Sequence, residues 1–260
     1  MQPLVEPGSQ AEQVGRLLIA GVLVVSLPAL PFGTYLIYPF VILTTWFHEM
    51  GHGITALLMG QDFQQLAIYA NGSGVAESAV ASDAPAVVHA AIAAGGPLAP
   101  SIAGAGLIMA SAHRKAWRPA LWAVAGAIVI SVLIYVRSPV GVTVLPLVAG
   151  LLALIAWRAR DGFARFSLQF LGVIAAMSML ADFHYLFTES AKIGGRIMLS
   201  DTGKLEEALM LPHWAWAILL LSASAVMIGA SLKYALNENR LRGRPVKPPA
   251  NVLQFKRPKR

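Results

Sequence analysis

Long runs without a charged side chain constrain this chain most. Leu17 to Phe47 is uninterrupted, and similar runs follow at Pro119 to Val136, Ser138 to Trp157, Phe166 to Ala181 and Trp214 to Leu232. Pro85 to Ala112 is broken only by His89. A helix needs about 20 apolar residues to cross about 30 Å of hydrocarbon, and each run approaches or exceeds that length. Pro28, Pro31 and Gly33 divide the first stretch in two. The remaining spans are expected at Ala86–Ser111, Pro119–Val136, Pro139–Trp157, Ala164–Phe187 and Trp214–Leu236. The fold class is therefore an all-α polytopic membrane protein of about seven transmembrane helices. A short β-hairpin-like segment follows the second helix: Gln65–Tyr69 and Gly74–Glu77 are joined by Asn71-Gly72, a hairpin turn signal. With 57% hydrophobic and only 13% charged residues, against about a quarter charged in soluble domains, an ordinary soluble enzyme and a disordered chain are both excluded. The chain has no Cys, which removes disulfides, thiolate metal sites and Cys nucleophiles.

The net charge of +7 is a matter of topology, with no nucleic-acid partner expected. Eight Lys or Arg residues lie between Arg240 and Arg260, and others flank apolar runs, as the positive-inside rule requires of cytoplasmic segments. Arg114, Lys115 and Arg118 mark one cytoplasmic loop and Arg158, Arg160 and Arg165 a second. The segments at residues 62–83 and 188–213, which carry most of the acidic residues, then fall on the other side, as does the N-terminus. The chain divides into an N-terminal segment (1–16), a transmembrane region (17–236) and a basic, Pro-rich tail (237–260) expected to be disordered near anionic headgroups. The expected setting is a bacterial inner membrane with the C-terminus cytoplasmic.

Within the second helix stands His48-Glu49-Met50-Gly51-His52, an H-E-x-x-H motif. Spacing of i, i+4 puts both imidazoles on one helix face, where they can hold one metal ion, with Glu49 beside it as general base. Zinc lowers the pKa of a bound water from about 16 to about 7, so Glu49 can activate zinc-bound water at neutral pH. Ionisable residues at membrane depth cost several kcal/mol unless paired or metal-bound, which makes the cluster functional by default. The soluble extended motif would place Gly and His at 55 and 58, where this chain has Thr55 and Leu58. A third ligand must come from elsewhere. Asp182, at the end of an apolar run, is the leading candidate by depth. Asp201 is its rival, although Ser200-Asp201-Thr202-Gly203 also reads as a helix N-cap, and Glu189 is weaker. His89 and His184 lie near span ends. Gly95-Gly96-Pro97 interrupts the third span and is expected either to face substrate or to let helices pack closely.

On these residues the chain resembles the site-2 protease family of intramembrane zinc metalloproteases, in particular its compact bacterial branch. The resemblance rests on His48 to Gly53 in an apolar helix, the hairpin-like segment, Gly95-Gly96-Pro97 and the later span bearing Asp182. It implies one zinc per chain held by His48, His52 and a distant Asp, water activation by Glu49, and cleavage of a membrane protein substrate in or beside its transmembrane segment within the lipid bilayer. The family's Leu-Asp-Gly around the third ligand is replaced here by Ala181-Asp182-Phe183. Family members commonly place the site nearer the cytosol, whereas the charge pattern places it toward the other face. A di-iron site would need a second Glu-x-x-His, which is absent. The remaining alternative is a non-proteolytic transporter or metal-sensing scaffold. Substrate identity and oligomeric state are not encoded in any motif.

Overall fold

Pro and Gly set the helix boundaries of the computed structural model, which describes residues 10–237. The helices and strands, numbered in chain order, are α1 (Gln10–Ser26), α2 (Gly33–Leu58), β1 (Asp62–Ile68), β2 (Gly74–Ala79), α3 (Ala86–Ser111), α4 (Trp117–Ile134), α5 (Pro139–Arg158), α6 (Asp161–Ala181), α7 (Phe183–Leu186), β3 (Ser190–Ile193), β4 (Arg196–Leu199), α8 (Asp201–Leu209) and α9 (His213–Ala235). Pro139 starts α5, where a missing N–H costs nothing, and Ser138 Oγ accepts the Gly141 N–H. Between α1 and α2 the backbone turns sharply through Pro28 and Pro31, and Phe32 is left-handed at φ 61°.

Among the described residues, six helices are long and apolar enough to cross a membrane: α1 with the turn after it, α3, α4, α5, α6 and α9. The 26-residue α2 is long enough, yet its polar cluster keeps it below that apolarity. The chain is thus an all-α polytopic membrane protein with two short antiparallel strand pairs.

The bundle is organised around α3, which packs on α2, α6, α8 and α9. Where α2 and α3 touch, Gly51 faces Gly95, and a Cβ on Gly95 would lie 2.9 Å from the Gly51 carbonyl oxygen. Small residues are what let two helix backbones come this near. A buried cluster that includes Leu43, Trp46, Leu121, Ile128, Leu145, Leu152 and Leu168 ties α2, α4, α5 and α6 together. In it the Trp46 indole N–H donates to Ser131 Oγ at 2.8 Å, satisfying a polar group that lipid could not.

Both segments expected outside the helices fold back among them. The β1–β2 hairpin turns at Asn71-Gly72, with Gly72 at φ 87°, and lies along α2: Tyr38 Oη donates to Ala70 O at 3.0 Å and Thr45 Oγ1 to Gly72 O at 2.6 Å. The outer edge of β1 is closed by the α4–α5 connection, since Leu66 N donates to Tyr135 O and Arg137 N to Leu66 O, each at 3.0 Å. The span expected to reach Phe187 ends at Ala181, followed by the single turn of α7. After it, β3, β4 and α8 return the chain to the bundle, burying Ser200, Asp201 and Thr202 to 1% exposure or less.

One end of the bundle gathers the basic loops. His113 and the Tyr234 hydroxyl share a 2.9 Å hydrogen bond, Arg16 donates to Gly162 O at 2.6 Å, and Arg165 pairs with Glu12 at 3.6 Å. The start of α1 and the end of α9 therefore lie at the same end. The start of α1 thus lies beside the basic loops, whereas the charge pattern alone had placed the N-terminal side opposite them. The tail from 238 onward and residues 1–9 lie outside the described residues.

Candidate metal centre

His48 and His52 project from the same face of α2, and their ring centroids are 4.9 Å apart. The two Nε2 atoms are 3.2 Å apart. His52 Nδ1 lies 2.7 Å from the Ile92 carbonyl oxygen. A carbonyl can only accept, so Nδ1 carries the hydrogen and the Nε2 lone pair faces the partner imidazole. Ile92 sits on α3 close to Pro97, which has no N–H for the Ala93 carbonyl. Gly96 makes the approach possible, because a Cβ there would overlap the His52 ring.

The third member is Asp201. Its Oδ2 is 3.0 Å from His48 Nε2 and its Oδ1 3.3 Å from His52 Nε2. Among the described residues, His48, His52 and Asp201 form the grouping whose ligand atoms converge closely enough to hold a metal ion. The donors fit zinc. Two nitrogen ligands at about 2.0–2.1 Å in a tetrahedral shell lie roughly 3.3–3.4 Å apart, close to the observed separation, and the donor set is two imidazoles and a carboxylate. Asp182, the leading candidate from the sequence, is not in this grouping. It is the C-cap of α6 and lines a neighbouring cavity. Asp182 does share a cavity wall with His48 and Glu49, at the depth expected of it, but its carboxylate is not among the ligand atoms that converge.

Local structure explains why Asp201 is available. The N-cap of α8 is Ser200, whose Oγ accepts the Gly203 N–H at 3.0 Å. Asp201 is then in the first turn with its carboxylate unclaimed by the helix. Thr202 Oγ1 donates to Leu186 O at 2.8 Å, pinning α8 to α7. The Asp201 N–H donates to Tyr185 Oη at 3.2 Å, and Lys204 Nζ lies 3.4 Å from Asp201 Oδ1. Burial, with the Asp201 and Glu49 carboxylates nearby, pushes the Tyr185 phenol up.

Glu49 is buried beside the histidines at 5% exposure. Strand β2 passes so near it that a Cβ on Gly74 would lie 2.7 Å from Glu49 Oε1. Two cavities meet here. The first, about 740 Å³, runs between α1, α2, α6 and the hairpin tips, with Phe40, Val41, Met177, Leu180 and Asp182 in its wall. The second, about 690 Å³, lies between β2, α3 and α8 and includes His89, Lys204 and Glu207. Neither cavity is lined by Gly95, Gly96 or Pro97. Gly95 lies against Gly51 and Thr55 of α2, and Gly96 against the His52 ring. His184 is exposed. Tyr185 and Lys204 were not anticipated, and no motif surrounds either of them.

Two imidazoles and a carboxylate converging beside a buried Glu, inside a bundle of apolar helices, define a membrane-embedded protein with a metallopeptidase-type site. The Peptidase M50B-like family model matches residues 17–231, and the chain belongs to that family, a branch of the site-2 protease family of membrane metalloproteases. No curated protein and no solved structure matched it.

Proposed function

We propose that this chain is a zinc-dependent intramembrane endopeptidase that hydrolyses a peptide bond within or next to a transmembrane segment of a membrane protein. One zinc ion per chain would be held by His48, His52 and Asp201. When bound, zinc acidifies a water in its open position and polarises a carbonyl. Glu49 takes the proton from the attacking water and returns it to the leaving amide nitrogen. The Ile92 carbonyl fixes the His52 tautomer, as supporting acceptors do in metal sites generally. The first cavity, apolar along most of its length, suits an unwound membrane segment, and the second supplies a polar approach for water. The observation that carries the reading is the convergence of the two Nε2 atoms and both Asp201 oxygens beside Glu49.

The test is co-expression of single-span membrane proteins with the wild type and with Glu49→Gln. Cleavage should appear with the wild type and fall by about 10²–10⁴-fold in the variant, while purified Glu49→Gln keeps its zinc. A variant that cleaves as well as the wild type rejects the hydrolytic reading and leaves a metal-binding scaffold.

A further inference from the structure

We propose that Tyr185 is a catalytic residue of this site, its phenol donating a hydrogen bond to the scissile carbonyl oxygen as negative charge develops there. The inference rests on the protease reading above and assigns a residue that the H-E-x-x-H motif does not supply.

The two cavities share five wall residues: His48, Glu49, Gly74, Tyr185 and Ile193. A substrate lying along the first cavity and a water arriving through the second can meet only at that junction. Gly74 and Ile193 offer no polar side chain, while His48 and Glu49 already have roles. Tyr185 is the remaining donor at the junction. Lys204 lines only the second cavity and its ammonium is directed at Asp201.

The phenol is held in place before substrate arrives. Its oxygen accepts the Asp201 backbone N–H at 3.2 Å, which uses a lone pair and leaves the O–H hydrogen to donate. The Asp201 carboxylate, which also meets the two imidazoles, is the hydrogen-bond acceptor for the phenol before substrate arrives, and the carbonyl oxygen of a bound peptide offers that hydrogen a second acceptor, one that strengthens as charge builds on it. A donor fixed in advance and aimed at a developing oxyanion costs no reorganisation during the reaction. In the step itself the water oxygen bonds to the carbonyl carbon and the C=O pair moves onto oxygen. Glu49 holds the water's proton and delivers it to nitrogen as the C–N bond breaks. Tyr185 keeps its own proton throughout.

The experiment uses the full chain in phosphatidylethanolamine–phosphatidylglycerol vesicles with an internally quenched Leu/Ala transmembrane peptide interrupted by a central Gly-Ser pair. Tyr185→Phe should retain zinc and lower kcat by about 10²–10³-fold with KM unchanged. Loss of zinc, or a rise in KM with kcat preserved, would make Tyr185 a support of Asp201 and overturn the assignment, as would an unchanged kcat. If Tyr185→Phe does not fold, Tyr185→Gln, which keeps a donor, should turn over at least about tenfold faster than Tyr185→Leu, given the size of a lost donor's effect; equal rates reject the proposal. Failure of the wild type to cleave, or full activity in Glu49→Gln, strikes instead at the protease reading itself.

Discussion

Asp201 and Asp182 lie on opposite sides of α7, and the difference between them is one of local hydrogen bonding. Ser200 takes the cap of α8, so the Asp201 carboxylate has no helix N–H to serve and is buried against two imidazoles. Asp182 is exposed at the end of α6 with its side chain in a cavity wall. Asp201→Asn should therefore strip zinc from the purified protein, as should His48→Ala and His52→Ala, whereas Asp182→Asn should keep near-equimolar zinc by elemental analysis. Zinc lost from Asp182→Asn and retained in Asp201→Asn would reverse the assignment. The histidines and Glu49 were legible because H-E-x-x-H is a local pattern on one helix. The Asp was legible only as a rival to Asp182, because its approach depends on a chain reversal of some twenty residues after α6. One signal was present: Ser before Asp supplies the cap of α8 and leaves the Asp carboxylate to spare.

At the scale of elements, α3 is the support on which the metal helix rests. Its Ile92 carbonyl orients His52 and its Gly96 makes room for the ring. Gly96→Ala should push the His52 ring aside and lower zinc affinity about 10–100-fold, the range seen when a ligand's supporting shell is disturbed. On the same helix Gly106 has nothing within 4 Å of a would-be Cβ, so Gly106→Ala should leave zinc binding unchanged. Titration with a zinc-buffering chelator separates the two. Equal affinities for both variants would show that Gly96 is not needed for the ligand's position. The helices themselves were readable from apolar runs punctuated by Pro and Gly, and the first hairpin from Asn71-Gly72. Strands β3 and β4 were not, since two four-residue strands around Gly194-Gly195 carry too few residues for alternation to stand out, and they are held by tertiary contacts such as Gly194 against the Tyr69 ring.

For the whole molecule, charge and contact agree on which end is basic and disagree on where the chain enters. Arg114, Lys115, Arg158 and Arg160 crowd one end, which the positive-inside rule assigns to the cytoplasm. The contacts of Glu12, Gln13 and Arg16 with Arg165, Ser111 and Gly162 bring the start of α1 to that same end. The β3–β4 hairpin follows the opposite end of α6, which puts the metal centre toward the end away from the basic loops. Because the chain has no Cys, single Cys residues can be read without background. Gln10, Lys115 and Arg196 are all exposed, so their labelling depends on sidedness alone. An impermeant maleimide added to intact spheroplasts should modify Cys at 196 and leave 10 and 115 unmodified until the membrane is opened. Labelling at 10 together with 196 would restore an odd number of passages and require the α1 contacts to be broken in the bilayer. Labelling at 115 with protection at 196 would invert the molecule and place the metal centre toward the cytosol.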